Sequence, residues 1–225
     1  MLKLYGYWRS SAAYRVRVAL NYKGLDAELL SVHLVKDGGE QHQAEYAILN
    51  PQELVPALID SDSKGELQGE EQEAFVLSQS LAIIEYLDEK YPENALLPQD
   101  LHDRAIVRAM AMSIACEVHP LNNLKVLQYL SKDLALDDGA KSAWYHHWIN
   151  EGFSAFEKQL VKYSGRYCFG DNITLADLCL IPQVYNANRF NVDLSPYPNI
   201  VRIVENCNRL DAFIDAAPEN QADAG

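Results

Sequence analysis

The chain has 225 residues, 48% of them hydrophobic, with 19 lysines and arginines against 32 acidic residues and a formal net charge of −13. That supplies enough apolar material for one large or two small packed domains, and the acidic balance disfavours nucleic acid or an anionic membrane as a partner. No run approaches the roughly 20 apolar residues of a membrane span and no signal-peptide core opens the chain, so the expectation is a cytoplasmic protein.

Leu2 to Tyr5 reads as a short strand, Ala12 to Tyr22 as a helix ending at Gly24, and Ala27 to Leu34 as a second strand. After the Asp37-Gly38-Gly39 turn, Gln41 to Leu49 is weakly helical and stops before Asn50-Pro51. Val55 to Ile59 reads as a third strand with Pro56 at its mouth, where a missing N–H is tolerated, and Phe75 to Leu77 as a fourth. Between them, Asp60 to Glu73 carries six acidic residues and reads as an exposed hairpin or loop. Ser78 to Tyr91 is a helix with Leu81, Ile84 and Leu87 on one face, closed by Pro92.

Beyond Pro98 the strand signals stop. His102 to Leu130, Ala140 to Tyr163, Thr174 to Phe190 and Pro198 to Ala212 read as helices, and Thr174-x-x-Asp177 has the form of a capping box. The tail from Pro218 is small and polar and reads as frayed. Cys116, Cys168, Cys179 and Cys207 show neither a C-x-x-C pair nor metal-ligand spacing, so they read as buried, reduced thiols with no metal role. The pattern is α/β plus all-α: a βαβαββα unit over residues 1–92 and an all-helical unit over 98–225, with the boundary near 92–100.

The segment Arg9-Ser10-Ser11-Ala12-Ala13-Tyr14-Arg15-Val16-Arg17 places two hydroxyls at the start of the first helix, with three arginines around them. A helix start favours an anion, because its first N–H groups lack internal partners and the macrodipole puts partial positive charge there. Taken alone, the same residues also read as a capped helix with a solvated charged face.

A βαβαββα unit with a proline opening its third strand, followed by helices, resembles the glutathione transferase superfamily. The motifs Arg9-Ser10-Ser11-x-x-x-Arg15-Val16-Arg17, Lys36-Asp37-Gly38-Gly39, Val55-Pro56, Gln79-Ser80-Leu81, His119-Pro120-Leu121-x-Asn123-Leu124, Gly170-Asp171-x-x-Thr174-x-Ala176-Asp177 and Arg189-Phe190-x-Val192-Asp193-Leu194 resemble its zeta class, the maleylacetoacetate isomerases. The likeness runs from about residue 2 to 215. It implies a thioredoxin-like first domain that binds glutathione as a cofactor. Val55, before a cis Pro56, would pair with the tripeptide's cysteinyl backbone like an added strand. Gln79 and Ser80 match the pair that holds the γ-glutamyl carboxylate, and Gln41 a residue at the glycyl end. His119, Asn123 and Lys125 match contacts from the helical domain. Read without the family, Pro56 is a strand-edge proline, Gln79-Ser80 a cap, and His119 a packed structural histidine.

The first domain carries no cysteine, so its thiol must come from the ligand. Lowering a free thiol's pKa from about 8.5 by about two units requires about 2.7 kcal/mol of preferential thiolate stabilisation. Ser10, helped by Ser11 and the helix start, is the implied source. The implied reaction is cis–trans isomerisation of a diketo diacid by thiolate addition, bond rotation and expulsion. Arg9 and Arg189 match positions near the substrate carboxylates. Arg15 and Arg17 lie about 200° apart around one helix, so Arg15 is assigned to the site side and Arg17 to structure. Maleylpyruvate isomerase is the nearest alternative, and a non-catalytic scaffold, favoured only by the acidic excursion, a further one. The fold usually forms homodimers.

One departure stands out. The zeta motif usually reads Ser-Ser-Cys-x-Trp-Arg-Val-Arg, whereas Ala12 replaces the cysteine here and Tyr14 the tryptophan. An alkylating haloacid substrate is therefore expected not to inactivate this protein through its first helix. Mass spectrometry of the treated protein checks this, and a covalent adduct on residues 9–17 contradicts it.

Overall fold

Leu2 and Leu4 alternate with more exposed neighbours along β1 (Leu2–Gly6), so one face of the strand is buried as the period of two requires. In the computed structural model, which describes residues 1–64 and 74–224, β1 is followed by α1 (Ser11–Lys23), β2 (Ala27–Ser31), α2 (Ala44–Leu49), β3 (Ala57–Lys64), β4 (Ala74–Ser78) and α3 (Ser80–Lys90). The strands form one mixed sheet in the order β2-β1-β3-β4. Leu2 opposes Ala27 in the parallel β1–β2 pair, while β1–β3 and β3–β4 are antiparallel. Gly24 ends α1 with φ 66°, a conformation that glycine adopts without a Cβ penalty. Gly6 marks a close approach, since a Cβ there would stand 3.2 Å from the Cβ of Ala13 on α1.

β2 stops at Ser31, three residues before its expected end, although Val32 N still donates to Gly6 O at 2.7 Å. The buried face of α3 is Ile83, Ile84 and Leu87, with Leu81 only half-buried. Asp60 corrects the expected exposed excursion: it is fully buried within β3. Its carboxylate accepts from Tyr86 Oη at 2.6 Å, from Asp62 N at 3.0 Å and from Lys90 Nζ, which ties the sheet to α3. The rest of that excursion, residues 65–73, lies outside the described residues.

The remaining helices among the described residues are α4 (Leu101–Ala115), α5 (Leu124–Lys132), α6 (Asp138–Tyr163), α7 (Leu175–Arg189), α8 (Pro198–Cys207) and α9 (Asp211–Ile214). The single helix expected from His102 to Leu130 is two, separated by a 3-10 turn at His119–Asn122 that contains Pro120. Likewise the expected helix from Pro198 to Ala212 breaks between α8 and α9. Within the helical unit α7 packs on α4 and α8, and α6 on α4, α5 and α8. Asp177 starts α7 by accepting from Thr174 N and Cys168 N, each at 2.8 Å, while burial pushes its own pKa up. Glu157 on α6 takes the N–H groups of Asn199 and Ile200 at 2.9 and 3.0 Å, capping α8 from outside.

By packing, the chain divides into residues 1–94 together with 211–225, and residues 95–210. The tail expected to belong to the 98–225 unit, and to fray, instead packs with the first unit, with Pro218 buried in a 3-10 turn. Cys168, Cys179 and Cys207 are buried as expected, but Cys116 at the end of α4 is exposed; all four are free thiols. No helix among the described residues is long and apolar enough to cross a membrane.

The Asp60 carboxyl yields a stability prediction. Burial raises its pKa, but the hydrogen bonds from Lys90, Tyr86 and Asp62 N outweigh burial and bring it down from 3.8 to about 2. A depressed folded-state pKa contributes stability that is fully present above the unfolded value and lost as pH falls through the folded one. Asp60→Asn is expected to cost about 2 kcal/mol near neutral pH. Urea unfolding of both proteins should show the difference shrinking between about pH 4 and pH 2; a pH-independent difference contradicts the assignment.

Candidate functional site

Ala57, fully buried, opposes Tyr5 on one side and Ser78 on the other, and Gly6 opposes Ser31. The C-terminal ends of β1, β2 and β4 and the N-terminal end of β3 therefore lie at one edge of the sheet. The segments that continue from those ends are Tyr7 to Ser10, Val32 to Gln41, Leu54 to Pro56, and Gln79 to Ser80. These hold every site residue expected from the first domain except Ser11 and Arg15, which follow directly on α1.

Ser10 is the N-cap of α1: its backbone is extended (φ −69°, ψ 117°) and its Oγ accepts from Ala13 N at 3.2 Å. Because one lone pair is used in that bond, the hydroxyl hydrogen remains available to donate elsewhere. Ser11, the first helical residue, is buried. Arg9 is half-buried, donates from Nη2 to Tyr7 Oη at 3.0 Å, and lies 4.8 Å from the Trp8 ring centre.

The two helix arginines diverge as their spacing requires. Arg15 is buried and donates from Nη1 to Ser80 Oγ at 3.2 Å, so it reaches the site through Ser80, not by facing open solvent. Arg17 points the other way. It donates to Trp8 O and Ala216 O, each at 3.0 Å, and burial lowers its pKa to about 10.

The peptide bond between Val55 and Pro56 is cis. Val55 stands outside the strand register, which begins at Ala57. Its side chain packs with Tyr7, Val32 and Tyr46. The preceding carbonyl, Leu54 O, accepts from Tyr46 Oη at 2.6 Å and from Asn50 Nδ2 at 2.7 Å. Burial raises the Tyr46 pKa to about 12, which keeps it a neutral donor. Tyr46 and Asn50 support the loop, but neither stood out in the sequence beyond Asn50-Pro51 as a helix stop.

Gln79 precedes α3 with φ 72° and ψ 112°, a sparsely populated conformation for a side-chain-bearing residue. It is exposed, and its Nε2 donates to Gln52 Oε1 at 2.7 Å. Ser80 is the buried first residue of α3. Gln41 is buried over Gly39, where a Cβ would come within 2.5 Å of its carboxamide. Its Oε1 is buried and accepts no hydrogen bond among the described residues. Next to it, His42 Nδ1 meets Glu53 Oε2 at 2.5 Å.

The helical unit places its expected residues less distinctively. His119 starts the 3-10 turn, and Asn123 is the N-cap of α5, its Oδ1 accepting from Lys125 N at 3.1 Å. Lys125 is exposed. Arg189, also exposed, ends α7 and donates to Asn186 Oδ1 at 3.1 Å; the neighbouring Phe190 stacks on Tyr145 at 3.8 Å.

The sheet edge gathers polar groups of different kinds. A buried acceptor stands at Gln41, a hydroxyl hydrogen at Ser10, a helix start at Ser80, and a backbone segment outside the register at Val55.

Residues 4–95 match the model of the glutathione S-transferase N-terminal domain, and residues 148–211 that of the C-terminal domain. A probable maleylacetoacetate isomerase of Vibrio cholerae is 53% identical over 223 residues, covering 99% of this chain and 98% of that protein. The holo structure of a maleylpyruvate isomerase, described as a bacterial zeta-class glutathione S-transferase, superposes with a TM-score of 0.90 at 47% identity, covering 99% of this chain and 100% of the other. A maleylacetoacetate isomerase of Anaeromyxobacter dehalogenans, with glutathione bound in its active site, superposes with a TM-score of 0.86 at 41% identity, covering 100% and 98%. On these matches the chain belongs to the glutathione S-transferase family, and within it to the zeta class of maleylacetoacetate isomerases.

Proposed function

We propose that this protein is a glutathione-dependent isomerase that converts maleylacetoacetate to fumarylacetoacetate. The observation that carries the reading is the register at Ala57, which brings Ser10, Val55 and Ser80 to one sheet edge within a chain similar to maleylacetoacetate isomerases. Bound glutathione supplies a thiol nucleophile whose addition to the cis double bond permits rotation and whose departure leaves the trans bond.

The protein's part is to bind, orient and ionise. Ser10 Oγ–H donates to the sulfur and so favours the thiolate, while the start of α1 adds positive potential. Ser11 supplies a second hydroxyl. The backbone of Val55 pairs with the cysteinyl unit, its position set by Tyr46 and Asn50 through Leu54 O. Ser80 and the start of α3 hold the γ-glutamyl carboxylate. Arg15 occupies one lone pair of Ser80 Oγ, which leaves the Ser80 hydrogen to donate. Arg15 thus acts as a positioning residue. Gln41 Oε1 accepts from an amide at the glycyl end. Arg9 and Arg189 take substrate carboxylates, and His119, Asn123 and Lys125 take further glutathione contacts, on the strength of the resemblance. It also carries a cytoplasmic location and a homodimer, for which sedimentation equilibrium is the check.

The second reading, isomerisation of maleylpyruvate, is favoured by the likeness to the maleylpyruvate isomerase structure. Comparing kcat/KM for the two diacids decides between them, the larger value being expected for maleylacetoacetate.

Two outcomes test the site. Ser10→Ala is expected to lower kcat by about 10²-fold or more while glutathione still binds; equal wild-type rates with and without glutathione overturn the mechanism. Asn50→Ala removes one of two donors to Leu54 O and is expected to raise KM for glutathione about three- to tenfold with a smaller change in kcat. An unchanged KM in steady-state kinetics contradicts that role.

A further inference from the structure

Three side chains on one face of α1, Tyr14, Arg17 and Asn21, are spaced so that all meet the same neighbour. Each donates to a backbone carbonyl of the C-terminal stretch: Tyr14 Oη to Phe213 O at 3.3 Å, Arg17 Nε to Ala216 O at 3.0 Å and Asn21 Nδ2 to Ala212 O at 3.2 Å. The stretch continues through the 3-10 turn at Pro218–Asn220 and ends over the start of the site. There Asp223 Oδ2 accepts from Trp8 N at 3.2 Å and from Ser31 Oγ at 2.8 Å.

Trp8 is held at both of its backbone polar groups. Its N–H goes to Asp223 and its carbonyl accepts from Arg17 Nη2 at 3.0 Å. Tyr7 O, one residue earlier, accepts from Ser10 N at 2.9 Å, which closes the turn that carries Arg9 and Ser10. A cavity of about 220 Å³ remains between this end of the tail and the strands, lined by Leu4, Tyr7, Trp8, Leu30 and Gln221 among others. The polar bonds to Trp8 N and Trp8 O set the position of the turn.

We propose that residues 211–224 form a strap that positions the Tyr7–Ser10 turn for thiol binding, with Asp223 of the strap and Arg17 of α1, which bonds both strap and turn, as the positioning residues. The strap acts through Ser10 and so rests on the reading of Ser10 as the donor to the thiolate. A shift of the turn changes the distance from Ser10 Oγ to a bound sulfur, and hydrogen bonds to charged acceptors weaken steeply with distance and angle. The substrate itself needs no contact with the strap.

The test is the ultraviolet titration of glutathione thiolate on the full-length protein, together with the pH profile of kcat, for wild type, Asp223→Ala, Asp223→Asn and Ser10→Ala. Asp223→Ala is expected to move the bound thiol's titration to higher pH and to lower kcat about tenfold near neutrality, with recovery in alkali. Asp223→Asn, whose carboxamide oxygen still accepts from Trp8 N and Ser31, should retain most of the wild-type behaviour. If Asp223→Ala lowers the thermal midpoint, Ser31→Ala removes only one partner of the carboxylate and should show a smaller shift of the same sign. An unmoved titration in Asp223→Ala and Ser31→Ala, with a moved one in Ser10→Ala, overturns the strap alone. No shift in Ser10→Ala overturns both readings.

Discussion

The pairing of Ala57 with Tyr5 on one side and Ser78 on the other decides which loops meet. A register slip of one residue would turn the buried face of β1 outward, so the alternation of Leu2 and Leu4 holds it strongly. Once held, it carries the turn after β1, the segment before β3 and the start of α3 to one edge. Arg15 then ties α1, which follows that turn, to Ser80 at the start of α3. The cis Val55-Pro56 bond, the positive φ of Gln79 and the Ser10 cap are local features, and the register makes them neighbours.

A chain with a net charge of −13 gains nothing from its overall field in attracting an anionic ligand. Local groups must reverse the sign. The starts of α1 and α3 both face the same sheet edge, and Arg9 stands at the first of them. Helix ends contribute within about a turn, an effect that salt weakens. Two acidic groups on that side are kept occupied, Glu53 by His42 and Asp223 by Trp8 N and Ser31.

Elements were legible in the sequence where one physical signal dominated. The alternation of Leu2 and Leu4, Gly24 after α1 and the Thr174–Asp177 cap each named its element directly. Asp60 was misread because a charged residue at the start of an acidic run carries no sign of Lys90, thirty positions away, which makes its burial tolerable. The tail was misread for a related reason. Small polar residues predict fraying only when nothing meets their polar groups, and here Asp223 accepts from Trp8 N and Ser31 while Asn220 and Gln221 donate to the carbonyls of Ile214, Asp215 and Ala217. At the candidate site, Ser10, Val55-Pro56 and Gln79-Ser80 are singled out by motif likeness, whereas Tyr46 and Asn50 meet Val55's neighbour through a single carbonyl that no spacing rule marks.

The substitutions at positions 12 and 14 belong to one account. Tyr14 reaches Phe213 O with a hydroxyl and joins Arg17 and Asn21 in the row of donors under the tail. Ala12 leaves the first turn of α1 without a thiol, so a bound thiol must be ionised by groups that do not react themselves. The requirement, about 2.7 kcal/mol for two pKa units, lies within reach of those present. A hydrogen bond to a charged acceptor contributes about 1.5–3 kcal/mol and a helix start about 0.3–1, more when partly buried. One serine hydroxyl at an ordered helix start therefore suffices in magnitude, provided its oxygen is held still. Ala13 N fixes that oxygen directly, and the bonds to Tyr7 O and Trp8 O fix the turn that carries it.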